Sequence, residues 1–317
     1  MPAGLPDGLI DLQVNGYAGV DFNDAGLTEA ALDHALGAMR ADGVAACLPT
    51  IITAAPDALA ARLRALDRAV AASRLGTAMV PGYHLEGPFL SPEPGYAGCH
   101  PAAFMRPADP ALVARLEEGL ARPILLITLA PEREGALALI RWAVGRGKIV
   151  ALGHTAADPA TIAAAVAAGA RLATHLGNAL ASPQPKFANP MLAQLSEDAL
   201  AASFIADGIH VPPFALRVML RAKTLERSIL VSDATAAAGA GPGLYRLGDL
   251  TIERGADGAV RLPGTDRLAG SALVLADAVR NLVAWGLASD AEATRMAAAN
   301  PAALLAPALA AHGLRLP

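Results

Sequence analysis

The fold of this 317-residue chain is decided by the segment IVALGHTAADPATIAAAVAAGARLATHL, which spans residues 149–176. An apolar run ends at His154, an alanine-rich stretch follows, and a second apolar run ends at His175. Asp158 and Pro159 between them are typical of a helix start, with a capping side chain before a proline in the first turn. The segment therefore predicts a strand, a helix and a parallel strand, with a histidine at the end of each strand.

The same alternation continues along most of the chain. Eight apolar runs are predicted to be strands, at residues 8–14, 44–50, 78–85, 124–129, 149–153, 170–175, 202–206 and 228–232. Eight helical stretches follow them, at residues 28–40, 56–72, 109–120, 133–144, 158–168, 190–195, 213–225 and 271–285. Eight strand-helix units predict an α/β fold, a (β/α)8 TIM barrel, whose active site lies at the carboxyl ends of the strands.

One stretch interrupts this alternation. Residues 239–265 are rich in glycine and proline and contain two short β-like pieces, at 244–247 and 250–253. They predict a β-hairpin inserted between strand 8 and helix 8, near the barrel mouth. Because α/β barrels often exceed 200 residues, we expect a single domain over residues 1–317.

Composition narrows the classes of function. The net charge is −4, charged residues make up 17% of the chain and no basic block occurs, which argues against a nucleic-acid partner. No apolar run is long enough for a spanning helix, so we expect no membrane partner. The N-terminus lacks the features of a secretory signal, and the two cysteines provide no disulfide framework. We therefore expect a cytoplasmic protein.

Three side chains at predicted strand ends form a potential metal site. Glu86 lies in HLEGPF, where glycine and proline end the strand, and His154 and His175 end two other strands. One carboxylate and two imidazoles are typical of a catalytic divalent-metal site with a position open for water, whereas a lone histidine there is usually structural. Asp233 ends the last strand, where an aspartate either caps a turn or transfers protons, and we favour proton transfer. His84 faces the barrel interior, where we expect a structural role.

Other polar residues are expected near the same mouth. His210 follows strand 7 and is a candidate donor to substrate, and His100 lies in a glycine-rich loop that can reach over the pocket. Cys99 has no activating partner in the sequence, and a metal-dependent hydrolase needs no thiol nucleophile. Gln13 and Asn15 alternate onto one face of strand 1. Because amides bind zinc weakly compared with imidazole, we expect no second metal there.

These motifs, in this order, resemble the N-acetylglucosamine-6-phosphate deacetylases of the amidohydrolase superfamily. The matching pieces run from about residue 10 to residue 301 and read IDLQVNGYAGVDFND, HLEGPF, GHT, THLGNAL, IADGIHV, VSDATAAAG, YRLG, LAGSAL and AAANPA. HLEGPF and IADGIHV together are specific to this family, whereas an isolated GHT is not. The resemblance implies an amidohydrolase-type barrel that removes the acetyl group from an amino-sugar phosphate.

The resemblance also assigns roles to individual residues. It implies that Glu86, His154 and His175 bind one divalent metal ion per chain, with zinc expected and iron or manganese compatible, and that Asp233 is the catalytic acid/base. It implies substrate contacts from these residues: Cys99, His100, Asn178, Ala179, His210, Leu268, Ala269 and Gly270. The pair Gln13 and Asn15 matches the single-metal branch, as the remnant of a second site. The expected partners are a small amino-sugar phosphate and a second copy of the chain in a homodimer.

Three features depart from the family pattern. Relatives read HLFNAM where this chain has Gly177 in HLGNAL, so an aromatic wall beside the sugar is lost. Lys186 stands in place of the family's phosphate-binding arginine, whose side chain can reach the neighbouring subunit's site, and lysine lacks the bidentate fork. The chain starts almost at the first strand and stops near Pro317, so the accessory β-sandwich of relatives is expected to be absent or vestigial.

The expected reaction is metal-assisted hydrolysis of an N-acetyl amide to acetate and glucosamine 6-phosphate. Asp233 takes a proton from water and returns it to the leaving amine, while His100 stabilises the oxyanion. One alternative is a deacylase for another N-acyl amino sugar or a small cyclic amide, which Lys186 and Gly177 favour. Another is a sugar-phosphate-binding barrel without catalysis, against which the complete Glu-His-His-Asp set argues.

Overall fold

The computed structural model describes residues 8–316. Eight parallel strands form one sheet in the order of the sequence: Leu9–Val14 (β1), Val44–Ile52 (β2), Tyr83–Glu86 (β3), Ile124–Leu129 (β4), Ile149–Leu152 (β5), Leu172–Ala173 (β6), Ala201–Phe204 (β7) and Ser228–Leu230 (β8). The sheet closes just beyond β1 and β8, where Asp233 N donates to Gln13 O at 3.0 Å and Asn15 N donates to Ala234 O at 2.6 Å. The prediction of a (β/α)8 barrel is confirmed.

Helices cover the outside of the barrel. In chain order they are Glu29–Ala41, Pro56–Ala72, Arg74–Met79, Pro110–Glu117, Ala136–Val144, Pro159–Ala168, Pro190–Ser196, Pro213–Lys223, Leu275–Ala284, Asp290–Ala297 and Ala299–Ala311. The side chains of Thr28 and Asp158 cap two of them by accepting hydrogen bonds from the backbone of Ala31 and Thr161. Because helices cover the parallel strands, the strand sequences are nearly continuous apolar runs. Within the described residues, no helix is both long and apolar enough to cross a membrane.

Two of the predicted elements begin four or more residues too early. The strand predicted at 78–85 begins too early, because the helix Arg74–Met79, capped by Ser73, occupies its first residues. The helix predicted at 271–285 also begins too early, since Leu275 is its first residue. The chain just before that helix pairs instead with the segment that follows β8. Both differences extend connections and leave the order of the barrel unchanged.

The insertion lies where the sequence predicts it, between β8 and the helix Leu275–Ala284. It extends beyond the predicted residue 265 to Ala269, whose backbone N donates to Val260 O. Its two predicted strands are Gly243–Leu247 (β9) and Leu250–Arg254 (β10). A third strand, Val260–Arg261 (β11), pairs with β10 and turns the predicted hairpin into a three-stranded antiparallel sheet. The predicted hairpin is thus present, with one strand more than expected.

Specific contacts fasten the insertion to the barrel. Arg62 forms an ion pair with Asp249 at 2.7 Å, and Gly248 N donates to Asp21 Oδ2 at 2.6 Å. The inner face of the sheet shares a small hydrophobic core with the barrel, made of Ile52, Ala237, Leu247, Ile252, Val260 and Ala269. The insertion is therefore held over the mouth of the barrel.

Candidate active site

The carboxyl ends of the strands open into a cavity of about 890 Å³. Its wall includes Glu86, His154, His175 and Asp233 from the barrel. The insertion contributes Leu247, Leu250, Leu262, Asp266, Arg267 and Leu268. A cavity of this size accommodates a small-molecule ligand.

Three side chains converge at the base of this cavity. Glu86 ends β3, His154 follows β5 and His175 follows β6, so the parallel strands bring them to one place. Glu86 Oε1 lies 3.1 Å from His175 Nε2 and 3.4 Å from His154 Nε2, and the two nitrogens are 3.2 Å apart. All three residues are buried. Three donor atoms this close together can coordinate one divalent ion.

The donor set also fits a cation chemically. His154 Nδ1 lies 2.9 Å from the carbonyl oxygen of Tyr96, which can only accept, so the ring proton is on Nδ1 and the Nε2 lone pair faces Glu86. Burial opposes ionisation of Glu86, but the hydrogen bond that Glu86 accepts from His175 outweighs burial and holds the pKa of Glu86 well below its usual value. An anionic carboxylate and an imidazole lone pair thus meet where a metal ion would bind.

The backbone is strained at the residues that enter this centre. His154, His175 and Asp233 have positive φ angles of 51°, 28° and 48° and lie two or three residues beyond the ends of their strands. Ala179 in the cavity wall has a φ of 48°. Left-handed conformations cost non-glycine residues about 1–3 kcal/mol each and persist where the surrounding structure enforces them. Their concentration here is typical of a functional site.

The side-chain amides of Gln13, in β1, and Asn15, just after β1, hold the carboxylate of Asp233. Its Oδ1 accepts from Gln13 Nε2 at 3.1 Å and from Asn15 Nδ2 at 2.8 Å, and Gln13 Nε2 also donates to Glu86 Oε1 at 3.0 Å. Burial, and then the charge of Glu86, raise the pKa of Asp233 to about 6. The amides therefore orient a carboxylate that can exchange protons near neutral pH.

His100 faces Glu86 from the loop that follows β3. Its Nε2 lies 3.7 Å from Glu86 Oε2, and its Nδ1 lies 2.9 Å from the hydroxyl oxygen of Thr53. Burial, and then the neighbouring His154, lower the pKa of His100 to about 3, so the ring is neutral. When the Thr53 hydroxyl donates to Nδ1, the ring proton is on Nε2 and is available as a donor.

Two further side chains have the environments expected of them. His84 is fully buried, with Nε2 at 2.8 Å from Thr128 Oγ1 and Nδ1 at 3.2 Å from Thr50 Oγ1, so both ring nitrogens are occupied inside the barrel. Burial raises the pKa of the Cys99 thiol to about 12, which keeps this cavity residue protonated and a poor nucleophile.

Most residues expected to contact substrate lie in the cavity wall, namely Cys99, His100, Asn178, Ala179, His210, Leu268 and Gly270. Ala269 is buried behind the wall in the core of the insertion. Lys186 is not part of the cavity wall. Its side chain is exposed, with Nζ 5.3 Å from the centre of the Phe187 ring. A single chain therefore does not bring Lys186 to the cavity.

Sequence reasoning overlooked several residues of the site. Asp207 Oδ2 lies 2.6 Å from His210 Nδ1, and its other oxygen accepts from the backbone of His210 at 2.8 Å, which fixes the imidazole ring. The three-residue spacing of these side chains was a usable signal. Thr53 and Arg267 gave no such signal, because their partners are distant in the chain.

Comparison with known proteins identifies the family. No family model matches the chain. The N-acetylglucosamine-6-phosphate deacetylase of Bacillus subtilis (strain 168) is 33% identical over 281 residues, covering 88% of this chain and 69% of the relative. The N-acetylgalactosamine-6-phosphate deacetylase of Escherichia coli O157:H7 is 33% identical over 296 residues, covering 93% of this chain and 76% of the relative. The crystal structure of N-acetyl-D-glucosamine-6-phosphate deacetylase from Mycobacterium smegmatis has a TM-score of 0.86 and 33% identity, covering 95% of this chain and 78% of that one. The chain therefore belongs to the N-acetylglucosamine-6-phosphate deacetylase family of the amidohydrolase superfamily.

Proposed function

We propose that this protein hydrolyses the acetyl amide of N-acetylglucosamine 6-phosphate to glucosamine 6-phosphate and acetate. The observation that carries the proposal is the meeting of Glu86, His154 and His175 beside Asp233 in one cavity. Related proteins named as deacetylases of amino-sugar phosphates support the substrate class. They do not favour a cyclic-amide hydrolase or a barrel without catalysis.

The proposal includes one divalent ion per chain, held by Glu86, His154 and His175. When bound, such an ion makes water more acidic and polarises the acyl oxygen. We propose zinc, although iron and manganese accept the same ligands. A single ion is expected because Gln13 and Asn15 offer only amide groups, and both donate to Asp233.

Asp233 carries the proton in the proposed reaction. It accepts a proton from water as the water oxygen bonds to the acetyl carbon, and the C–N bond then breaks as Asp233 returns that proton to the sugar nitrogen. Gln13 and Asn15 occupy Oδ1 of this carboxylate, which fixes its orientation during both steps. The raised pKa of Asp233, about 6, suits a group that must gain and lose a proton near neutrality.

His100 is proposed to stabilise the negative charge that develops on the acetyl oxygen. When the Thr53 hydroxyl donates to Nδ1 of this neutral ring, the ring proton is on Nε2 and can be donated to that oxygen. Donors placed where charge develops are worth roughly 10²–10³-fold in turnover.

The remaining roles concern the sugar and the assembly. We propose that the wall residues Asn178, Ala179 and His210, together with Cys99 and the segment of Leu268, Ala269 and Gly270, shape the sugar site. We also propose that the chain is one cytoplasmic barrel domain that forms a homodimer. Lys186 of one subunit would then reach the phosphate in the other.

An exposed apolar surface supports the homodimer. Phe187 and Phe214 are 72% and 75% exposed, and Val218 lies one turn after Phe214 on the same helix. The helix Pro190–Ser196, close in sequence to Phe187, packs against the helix of Phe214. Contiguous exposed apolar side chains, such as Phe214 and Val218 one helical turn apart, often mark a protein contact.

The test is acetate release by purified, metal-replete protein on three substrates: N-acetylglucosamine 6-phosphate, its N-acetylgalactosamine epimer, and unphosphorylated N-acetylglucosamine. The first should give the highest kcat/KM, and Asp233→Asn provides the inactive control. Equal turnover of the unphosphorylated sugar would point to a broader deacylase. An absence of acetate from all three would overturn the proposal.

A further inference from the structure

The substrate phosphate needs a positive partner, and the cavity has few. Among the described residues, Arg267 is the only lysine or arginine in the cavity wall. Three carboxylates lie in the same wall, those of Glu86, Asp233 and Asp266. A phosphate that enters a cavity with this many acidic groups requires a cation close by.

The position of Arg267 connects the insertion to the metal centre. It directly precedes Leu268, which pairs with β11, and its Nη2 donates to the carbonyl oxygen of Gly98. A Cβ atom on Gly98 would lie 2.9 Å from His154 Cε1 and 3.8 Å from Ala179 Cβ. The guanidinium is thus attached to a loop that contacts both a metal-binding histidine and the wall expected to bind the sugar.

The charge of Arg267 is available to a ligand. None of the ion pairs found within residues 8–316 involves it, whereas Arg261 on the same insertion pairs with Asp257 at 2.8 Å. An arginine has five N–H donors, and the bond to Gly98 uses one of them. The remaining donors suffice for the two-oxygen recognition that arginine gives a phosphate.

We propose that Arg267 is a specificity-determining residue that binds the phosphate of the substrate within its own chain. The proposal rests on the proposed function, since it names the residue that recognises the phosphorylated form. It places one phosphate contact within the chain, on the insertion, in addition to any contribution from Lys186 of a partner subunit. The bond to Gly98 holds the guanidinium at the edge of the cavity, where it can meet the phosphate.

The experiment compares Arg267→Gln with the matched control Arg261→Gln, whose arginine lies on the same insertion outside the cavity wall. In Arg267→Gln, kcat/KM for N-acetylglucosamine 6-phosphate should fall by about ten- to a hundredfold, mainly through KM, because a charge-assisted contact is lost. Turnover of unphosphorylated N-acetylglucosamine should stay within about twofold of wild type. Arg267→Lys should recover part of the loss, and Arg261→Gln should match wild type.

Wild-type acetate release is measured first, so that failure of the proposed function is separated from failure of this inference. Equal losses on both substrates in Arg267→Gln would overturn the inference, since Arg267 would then only position the loop of Gly98. A normal KM in Arg267→Gln with a raised KM in Lys186→Ala would also overturn it. Calorimetric binding of glucosamine 6-phosphate and glucosamine gives a second readout that needs no turnover, and selective weakening of the phosphorylated ligand supports the inference.

Discussion

Replacing Asp233 by asparagine tests the proposed proton transfer. In the wild-type protein, Gln13 Nε2 and Asn15 Nδ2 donate to Asp233 Oδ1 at 3.1 and 2.8 Å. In Asp233→Asn the side-chain oxygen can still accept both hydrogen bonds. The substitution nearly preserves the volume of a buried side chain, and the donors Glu86, His154 and His175 are untouched. Fold and metal content should therefore persist while the proton acceptor is removed.

The size of the expected loss follows from that role. A general acid/base contributes roughly 10²–10⁴-fold, or about 2.7–5.5 kcal/mol of transition-state stabilisation, and turnover should fall by this factor. In wild type, the pKa of Asp233 is raised to about 6, so kcat/KM should rise with pH as the carboxyl ionises and then level off. A bound cation lowers that pKa, which moves the rise to lower pH. The variant should lack this acid limb.

The assay measures acetate release, metal content and circular dichroism on the same preparations across a range of pH. A folded, metal-replete Asp233→Asn protein with normal turnover would refute the assignment. Loss of the metal together with activity would instead show that Asp233 serves as a ligand.

The remaining predictions concern the metal, a buried lysine and a buried carboxyl. His154→Ala or His175→Ala removes a donor atom, so metal content and acetate release should fall together in elemental analysis and activity assays; an active variant without metal would contradict this. Lys223→Met should lower the free energy of urea unfolding by roughly 2–4 kcal/mol, with the exposed Arg221→Met as control, because the buried ammonium donates to two backbone carbonyls at 2.7 Å; equal effects would disprove that role. Burial raises the pKa of Asp11 from 3.8 to about 7, so its ionisation opposes folding, and this cost grows as pH rises between those values. The free energy of urea unfolding of wild type, relative to that of Asp11→Asn, should fall by roughly 1.4 kcal/mol per pH unit between about pH 5 and 7. A difference between the two unfolding free energies that does not vary with pH would contradict this.

Local patterns were sufficient to predict the barrel. Apolar runs that end in a polar residue, as at His154 and His175, mark strand ends, and capping residues such as Asp158 mark helix starts. Elements that depend on distant partners, or whose local pattern is ambiguous, were missed. The strand Val260–Arg261 has only two residues and exists because it pairs with β10. The helix Arg74–Met79 contains a glycine, which reads as a turn in sequence.

The residues of the site also divide into those that local patterns predict and those that depend on distant partners. Glu86, His154 and His175 were predicted together because parallel strands bring their carboxyl ends to one face. Sequence periodicity placed Gln13 and Asn15 on one face of β1, but only closure of the barrel brings their amides to Asp233. The bond from Arg267 to Gly98 joins residues 169 positions apart, and no local pattern reports a contact of that range.

The most direct test of the account is a metal titration of chelator-treated protein, followed by acetate release from N-acetylglucosamine 6-phosphate. Activity should be lost on metal removal, rise with added zinc and level off at about one ion per chain, because Gln13 and Asn15 provide no second set of ligands. Acetate release that survives metal removal, or that levels off only at two ions per chain, would contradict the account.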